Sequence, residues 1–133
     1  MYYRYSQSNC TRGLAMVYTR GQKEDEITKK IIQWEKDYIG RGPTEAKTDI
    51  IRNMVIVTLQ GMLSTAERVL SREKEGMALV KKLRQQLVEQ GRAELEEILT
   101  RITSVKVISL HTDISTKTGE RIFVFVMERD IDL

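Results

Sequence analysis

Apolar positions recur along this chain with two alternating periods, and the switches between them mark its elements. From Lys23 to Ile39, Ile27, Ile31, Trp34 and Tyr38 follow one another at steps of four, three and four, the stripe of an amphipathic helix. Gly40 then serves as a left-handed cap. Two short strands are predicted at Lys47–Ile51 and Met54–Gln60, meeting at Arg52-Asn53, where the Asn accommodates the positive φ of a tight turn. Ser64-Thr65-Ala66-Glu67 is a capping box that opens a short helix to about Ser71. After a break at Gly76, a long helix runs to Thr103, with Val80, Leu83, Leu87, Gly91, Leu95, Ile98 and Ile102 stepping by three or four. Strands at Val105–Ile114 and Arg121–Glu128 close the pattern as a hairpin around Ser115–Gly119. Residues of the last strand are apolar at successive positions, Ile122 to Met127, so it belongs inside a sheet or against a partner.

The order α-β-β-α-α-β-β predicts an α+β fold: a single-layer antiparallel sheet of two hairpins with helices on one face. Length adds a further expectation. About 28 residues of helix span roughly 42 Å, whereas an eight-residue strand covers about 27 Å. An apolar stripe that outruns its own sheet asks for a cover, and a second copy of the chain is the simplest. The expected homodimer interface is therefore Val80, Leu83, Leu87, Leu95, Ile98 and Ile102.

Composition refines this picture. With 133 residues, 41% apolar and 31% charged, the chain reads as one globular domain. No apolar run reaches the ~20 residues of a membrane span, and the start has no signal-peptide core, so a cytoplasmic protein is expected. Residues 1–18 hold Tyr2, Tyr3, Tyr5, Tyr18 and the lone cysteine, Cys10. They read as an extension ahead of a domain at 19–133, with Met16 where a shorter protein could begin and an aromatic arm against a neighbour as the alternative. Arg4 and Arg12 supply most of the net charge of +3. In the body, Lys and Arg alternate with Glu, without the concentrated basic face of a nucleic-acid binder, which places nucleic-acid binding (a sheet face, or Lys81-Lys82-Arg84) last among the binding readings.

Chemistry is sparse. His111 and Asp113 share one strand face, but a zinc site needs three or four donors and no second cluster joins them. A Ser-His-Asp set would have to use the same histidine. No phosphate-binding glycine motif is present, so no catalytic residue, metal or cofactor is assigned. Gly40-Arg41-Gly42-Pro43 has two readings. As a corner, Gly40 caps the helix, Gly42 takes a second unusual dihedral and Pro43 steers the chain into the sheet. Gly42→Ala should then cost about 1 kcal/mol or more, and Arg41→Ala should be nearly silent. As an anion site, Gly40, Arg41 and Gly42 form a nest of backbone amides beside a guanidinium. The corner reading is preferred, although it gives Arg41 no task.

GRGP at Gly40–Pro43, LQGMLSTAE at Leu59–Glu67, EGMALVKKLRQQL at Glu75–Leu87 and VKVISLHTDISTKTGERIFVF at Val105–Phe125 together resemble the MpsC-like family across Thr19–Glu128. Ser104 departs from the glycine common before the VKV strand, and residues 1–15 precede the usual start. The resemblance implies a bacterial accessory protein of a Na+-translocating, membrane-potential-generating system linked to inorganic-carbon uptake. Without a spanning segment, such a chain would act at the inner face of the membrane by binding a transporter subunit. It implies no catalytic residues. The alternative from another class is a sensor of bicarbonate or a phosphate-type anion at the Gly40–Pro43 loop.

Overall fold

In the computed structural model of the protein, residues 18–131 are described; the extension expected at residues 1–18 lies outside them except for Tyr18. Helix α1 (Arg20–Trp34) starts on a reciprocal cap between Thr19 and Gln22, three residues before the stripe signals it. A single π-helical turn, Glu35–Ile39, follows and ends at Gly40, whose φ of 105° makes the left-handed cap. Strands β1 (Glu45–Ile51) and β2 (Met54–Gln60) form the first hairpin. Helices α2 (Thr65–Leu70) and α3 (Lys74–Thr103) follow, then β3 (Val107–Ile114) and β4 (Arg121–Met127).

All strand pairs are antiparallel, in the order β1-β2-β4-β3. The strand with apolar residues on both faces, β4, thus sits inside the sheet, as its composition requires. Register carries Val55, Val57 and Leu59 of β2 opposite Phe125, Phe123 and Arg121 of β4. These residues point to the helix-covered face and are all buried. α1 packs over β1 and α3 over β3. Where the two helices meet, Trp34 and Tyr38 stack with ring centroids 4.8 Å apart, and both rings lie against Gly91 of α3.

Three local expectations change. The positive φ of the first hairpin turn belongs to Arg52 (56°) rather than to Asn53. Asn53 instead ties the turn to β4, accepting from Met127 N at 2.7 Å and donating its side chain to Met127 O at 3.3 Å. Gly76 is not a break. The helix has already begun at Lys74, and a Cβ at Gly76 would fall 1.7 Å from the Leu70 carbonyl oxygen, so the glycine lets α2 abut the first turn of α3. Ser104, in place of the family's common glycine, carries φ 61° as the α3 cap, a conformation that disfavours any Cβ.

Candidate functional site

The glycine-arginine corner comes first. Arg41 is half-buried and donates from Nη1 to Leu63 O at 2.8 Å and from Nη2 to Gly61 O at 3.2 Å. Its guanidinium staples the α1–β1 corner to the β2–α2 loop, which explains an arginine between two glycines. Gly42 has no positive φ; an added Cβ would meet the flexible Lys36 side chain at 3.0 Å. The expected costs are therefore reversed. Arg41→Ala should lower stability by about 1–2 kcal/mol through two lost charge-assisted bonds to carbonyls, whereas Gly42→Ala should cost little. Thermal or urea unfolding of the two variants, in buffer with and without phosphate, checks this.

A second group of charges is buried where α1, α2, α3 and the sheet converge. The row through α3 that faces the core is Gly76, Val80, Arg84, Val88, Gly91, Leu95, Leu99 and Thr103. Arg84 lies in it, only 3% exposed. It donates Nε to Glu67 Oε2 at 2.8 Å and Nη2 to Glu67 Oε1 at 2.6 Å and to Met62 O at 2.7 Å. Glu67 has a double task. Its Oε1 accepts from Ser64 N at 2.9 Å while Ser64 Oγ accepts from Glu67 N at 3.2 Å, completing the predicted capping box. Burial pushes the Glu67 carboxyl up, but the hydrogen bonds from Arg84 and Ser64, with the Arg84 charge, outweigh it and hold the group below the usual carboxylate range.

Two further charges complete the cluster. Arg121 faces inward from β4, 2% exposed, with its guanidinium 5.3 Å from the centre of the Phe123 ring. Its Nη1 donates to Thr112 Oγ1 at 2.8 Å, and no carboxylate forms an ion pair with it among the described residues. Burial pushes it down to about 10, against the pull of Glu35. Glu35, at the head of the π-turn, is 1% exposed, and neither carboxylate oxygen has a hydrogen-bond partner. Burial raises its pKa to about 7, with the Arg121 and Arg84 charges opposing the rise. A carboxylic acid poised near neutrality between two buried guanidiniums is the least ordinary feature of the chain. Such perturbed groups concentrate at functional sites, as do π-turns.

Other candidates disperse. His111 Nε2 pairs with Ser109 Oγ at 3.1 Å, while Asp113 pairs with Lys81 at 3.3 Å. Among the described residues no group of three or more metal-ligating side chains occurs, and no helix is long and apolar enough to cross a membrane. In the Lys81-Lys82-Arg84 cluster, Arg84 is committed to Glu67 and Lys81 to Asp113. Of the expected interface residues on α3, Val80 and Leu95 are buried in the chain's own core. Leu87, Ile98 and Ile102 are half-buried, and Leu83 is 51% exposed. The exposed apolar residues of this region are instead Leu79, 60% exposed, with Val69 and Leu70 of α2, each 49% exposed, and the Leu70 carbonyl lies against Gly76 of α3.

Residues 19–129 match the family model described as "Na+-translocating membrane potential-generating system (MpsC)". The chain is 50% identical to YbcI, an uncharacterized protein of Bacillus subtilis (strain 168), over 88% of its length and 94% of that protein's. It is 30% identical to YrhF, another uncharacterized protein of the same strain, over 84% of its length and 92% of YrhF. No solved structure matches the chain.

Proposed function

The chain belongs to the MpsC family, and from that premise we propose that it is a non-catalytic accessory protein of a cation-translocating membrane system, acting by binding a partner protein. The observation that carries this reading is the apolar shoulder formed by Val69 and Leu70 at the end of α2 with Leu79 and Leu83 on α3. Each is about half exposed or more. Leu79 and Leu83 stand one turn apart, and the line through them passes Gly76, where α2 abuts α3. Contiguous apolar surface of this kind marks interaction sites. The partner is a membrane subunit of the translocating system, met at the inner face of the membrane. A homodimer built along α3 uses the Leu83 end of the helix, because Val80 and Leu95 are already spent on the chain's core.

Leu79→Glu and Leu83→Glu change only exposed positions and should leave the melting temperature within about 0.5 kcal/mol of the parent in stability terms. The tagged chain should retain the system's membrane subunits from detergent-solubilised membranes, and the double variant should lose them. Light scattering on the same proteins reads self-association. Equal retention by parent and variant, or none by either, overturns the reading.

A further inference from the structure

Lys81, Arg84, Gln85, Thr112, Asp113, Ile114 and Arg121 line a cavity of about 310 Å³ between α3 and the β3–β4 edge. Three of these residues are cations. Lys81 is paired with Asp113 and Arg84 with Glu67, which leaves Arg121 without a paired carboxylate. Arg84 is nearly fully buried, and its Nη1 has no hydrogen-bond partner. The cavity thus offers an unused guanidinium donor, a buried arginine hydrogen-bonded to a threonine hydroxyl and set over the Phe123 ring, and a lysine at an exposed position. A water molecule would satisfy the free donor but not the unbalanced charge. Buried cations call for a counter-charge, and paired arginines fit the several oxygens of an oxyanion better than a spherical halide.

We propose that this cavity is a binding site for a small oxyanion, held by Arg84 and Arg121 with Lys81 at its mouth, and that occupancy is coupled to protonation of Glu35. The charges that bear on Glu35 are Arg121 on β4 and Arg84 on α3, and Arg84 is in turn tied to Glu67 on α2. With Glu35 neutral, the guanidinium of Arg121 keeps only the weaker pull of Asp113 and Glu67 and attracts the anion. With Glu35 ionised, that charge is already balanced, and the anion is repelled by the carboxylate. Because linkage is reciprocal, a bound anion must also favour the protonated acid. The site is distinct from the Gly40–Gly42 corner, where Arg41 Nη1 and Nη2 each donate to a carbonyl, and it stands or falls separately from partner docking at the α2–α3 shoulder.

Sulfate and formate are the probes, tetrahedral and planar respectively, since neither changes protonation between pH 6 and 8.5 to any useful extent. Sodium chloride at matched ionic strength is the control. Either oxyanion should raise the melting temperature at pH 6 beyond chloride, in a saturable way. Gln85→Glu places a negative charge at an exposed position of the cavity wall; it should keep the parent's melting temperature in chloride and lose the oxyanion shift. Binding by the parent should weaken about fivefold or more between pH 6 and 8.5, and Glu35→Gln should flatten that dependence. Saturation by one probe and not the other selects the geometry of the anion. Titrations indistinguishable from chloride with both probes, or full oxyanion response in Gln85→Glu, overturn the site. Binding that does not change with pH in the parent overturns the coupling to Glu35.

Discussion

Glu67→Ala should destabilise the fold by about 3–5 kcal/mol, the cost of leaving a buried charge without its partner. The loss has identifiable parts. Arg84 keeps its bond to Met62 O but loses both bonds to the carboxylate, at a position only 3% exposed. The start of α2 loses the bond from Ser64 N to the Glu67 carboxylate, while Ser64 Oγ still accepts from the backbone N of residue 67, so this half of the cap adds less than the loss of the Arg84 partner. Replacing Arg84 by methionine in the same chain should restore much of the stability, because an apolar side chain then fills the row between Val80 and Val88 and no charge is stranded. A denaturant double-mutant cycle reads the coupling directly, with an expected interaction of about 2 kcal/mol or more. Additive effects would mean that the pair is hydrated and not a buried unit.

Glu35→Gln should do the opposite and stabilise the protein above neutral pH. The Glu35 carboxyl is raised from 4.5 to about 7 in the folded chain, so the folded state holds a proton that the unfolded state gives up. Its contribution is fully present below pH 4.5 and is lost as pH rises through the window from 4.5 to 7. A rise of that size corresponds to about 3 kcal/mol. Glutamine keeps the shape and removes the ionisation. Its gain should therefore be near zero at pH 4.5 and grow to at most about 3 kcal/mol at pH 8, as the parent meets the full cost of ionising Glu35. Glu67 acts in the other direction. Its carboxyl lies below the ordinary value, so its contribution is present above that value and fades as pH falls through the folded one. Unfolding midpoints in urea from pH 4 to 8 separate the limbs, and a parent curve flat between pH 5 and 7 would count against a raised Glu35.

The elements themselves were legible because apolar residues mark their faces. Ile27, Ile31, Trp34 and Tyr38 located α1, and the Ser64–Glu67 box located α2. The two-faced apolar run from Ile122 to Met127 placed β4 inside the sheet. The charged cluster is not legible that way, because its members are charges standing on faces that apolar residues mark. Glu35 stands four residues after Ile31, Arg84 midway between Val80 and Val88, and Arg121 in phase with Phe123, Phe125 and Met127. Each charge sits at an in-phase core position of its element. A charge on a core row, rather than a recognised motif, was the available signal. The π-turn carries no such mark, and neither does the positive φ of Arg52, since both follow from how the chain closes onto neighbours distant in sequence. The assignment of Leu83 and Val80 to one surface failed for a similar reason. Steps of three and four trace either side of a helix, and only packing against β3 and α1 decides which side is core.

Glu35 is a buried carboxylic acid raised toward neutrality with only Arg121 and Arg84 opposing the rise, and carbon-detected NMR of the glutamate side-chain carboxyls tests this most directly. Glu35, assigned by its absence in Glu35→Gln, should titrate with a midpoint near 7, and saturating sulfate should move that midpoint upward. A Glu35 midpoint in the ordinary carboxylate range, unmoved by sulfate, would contradict it.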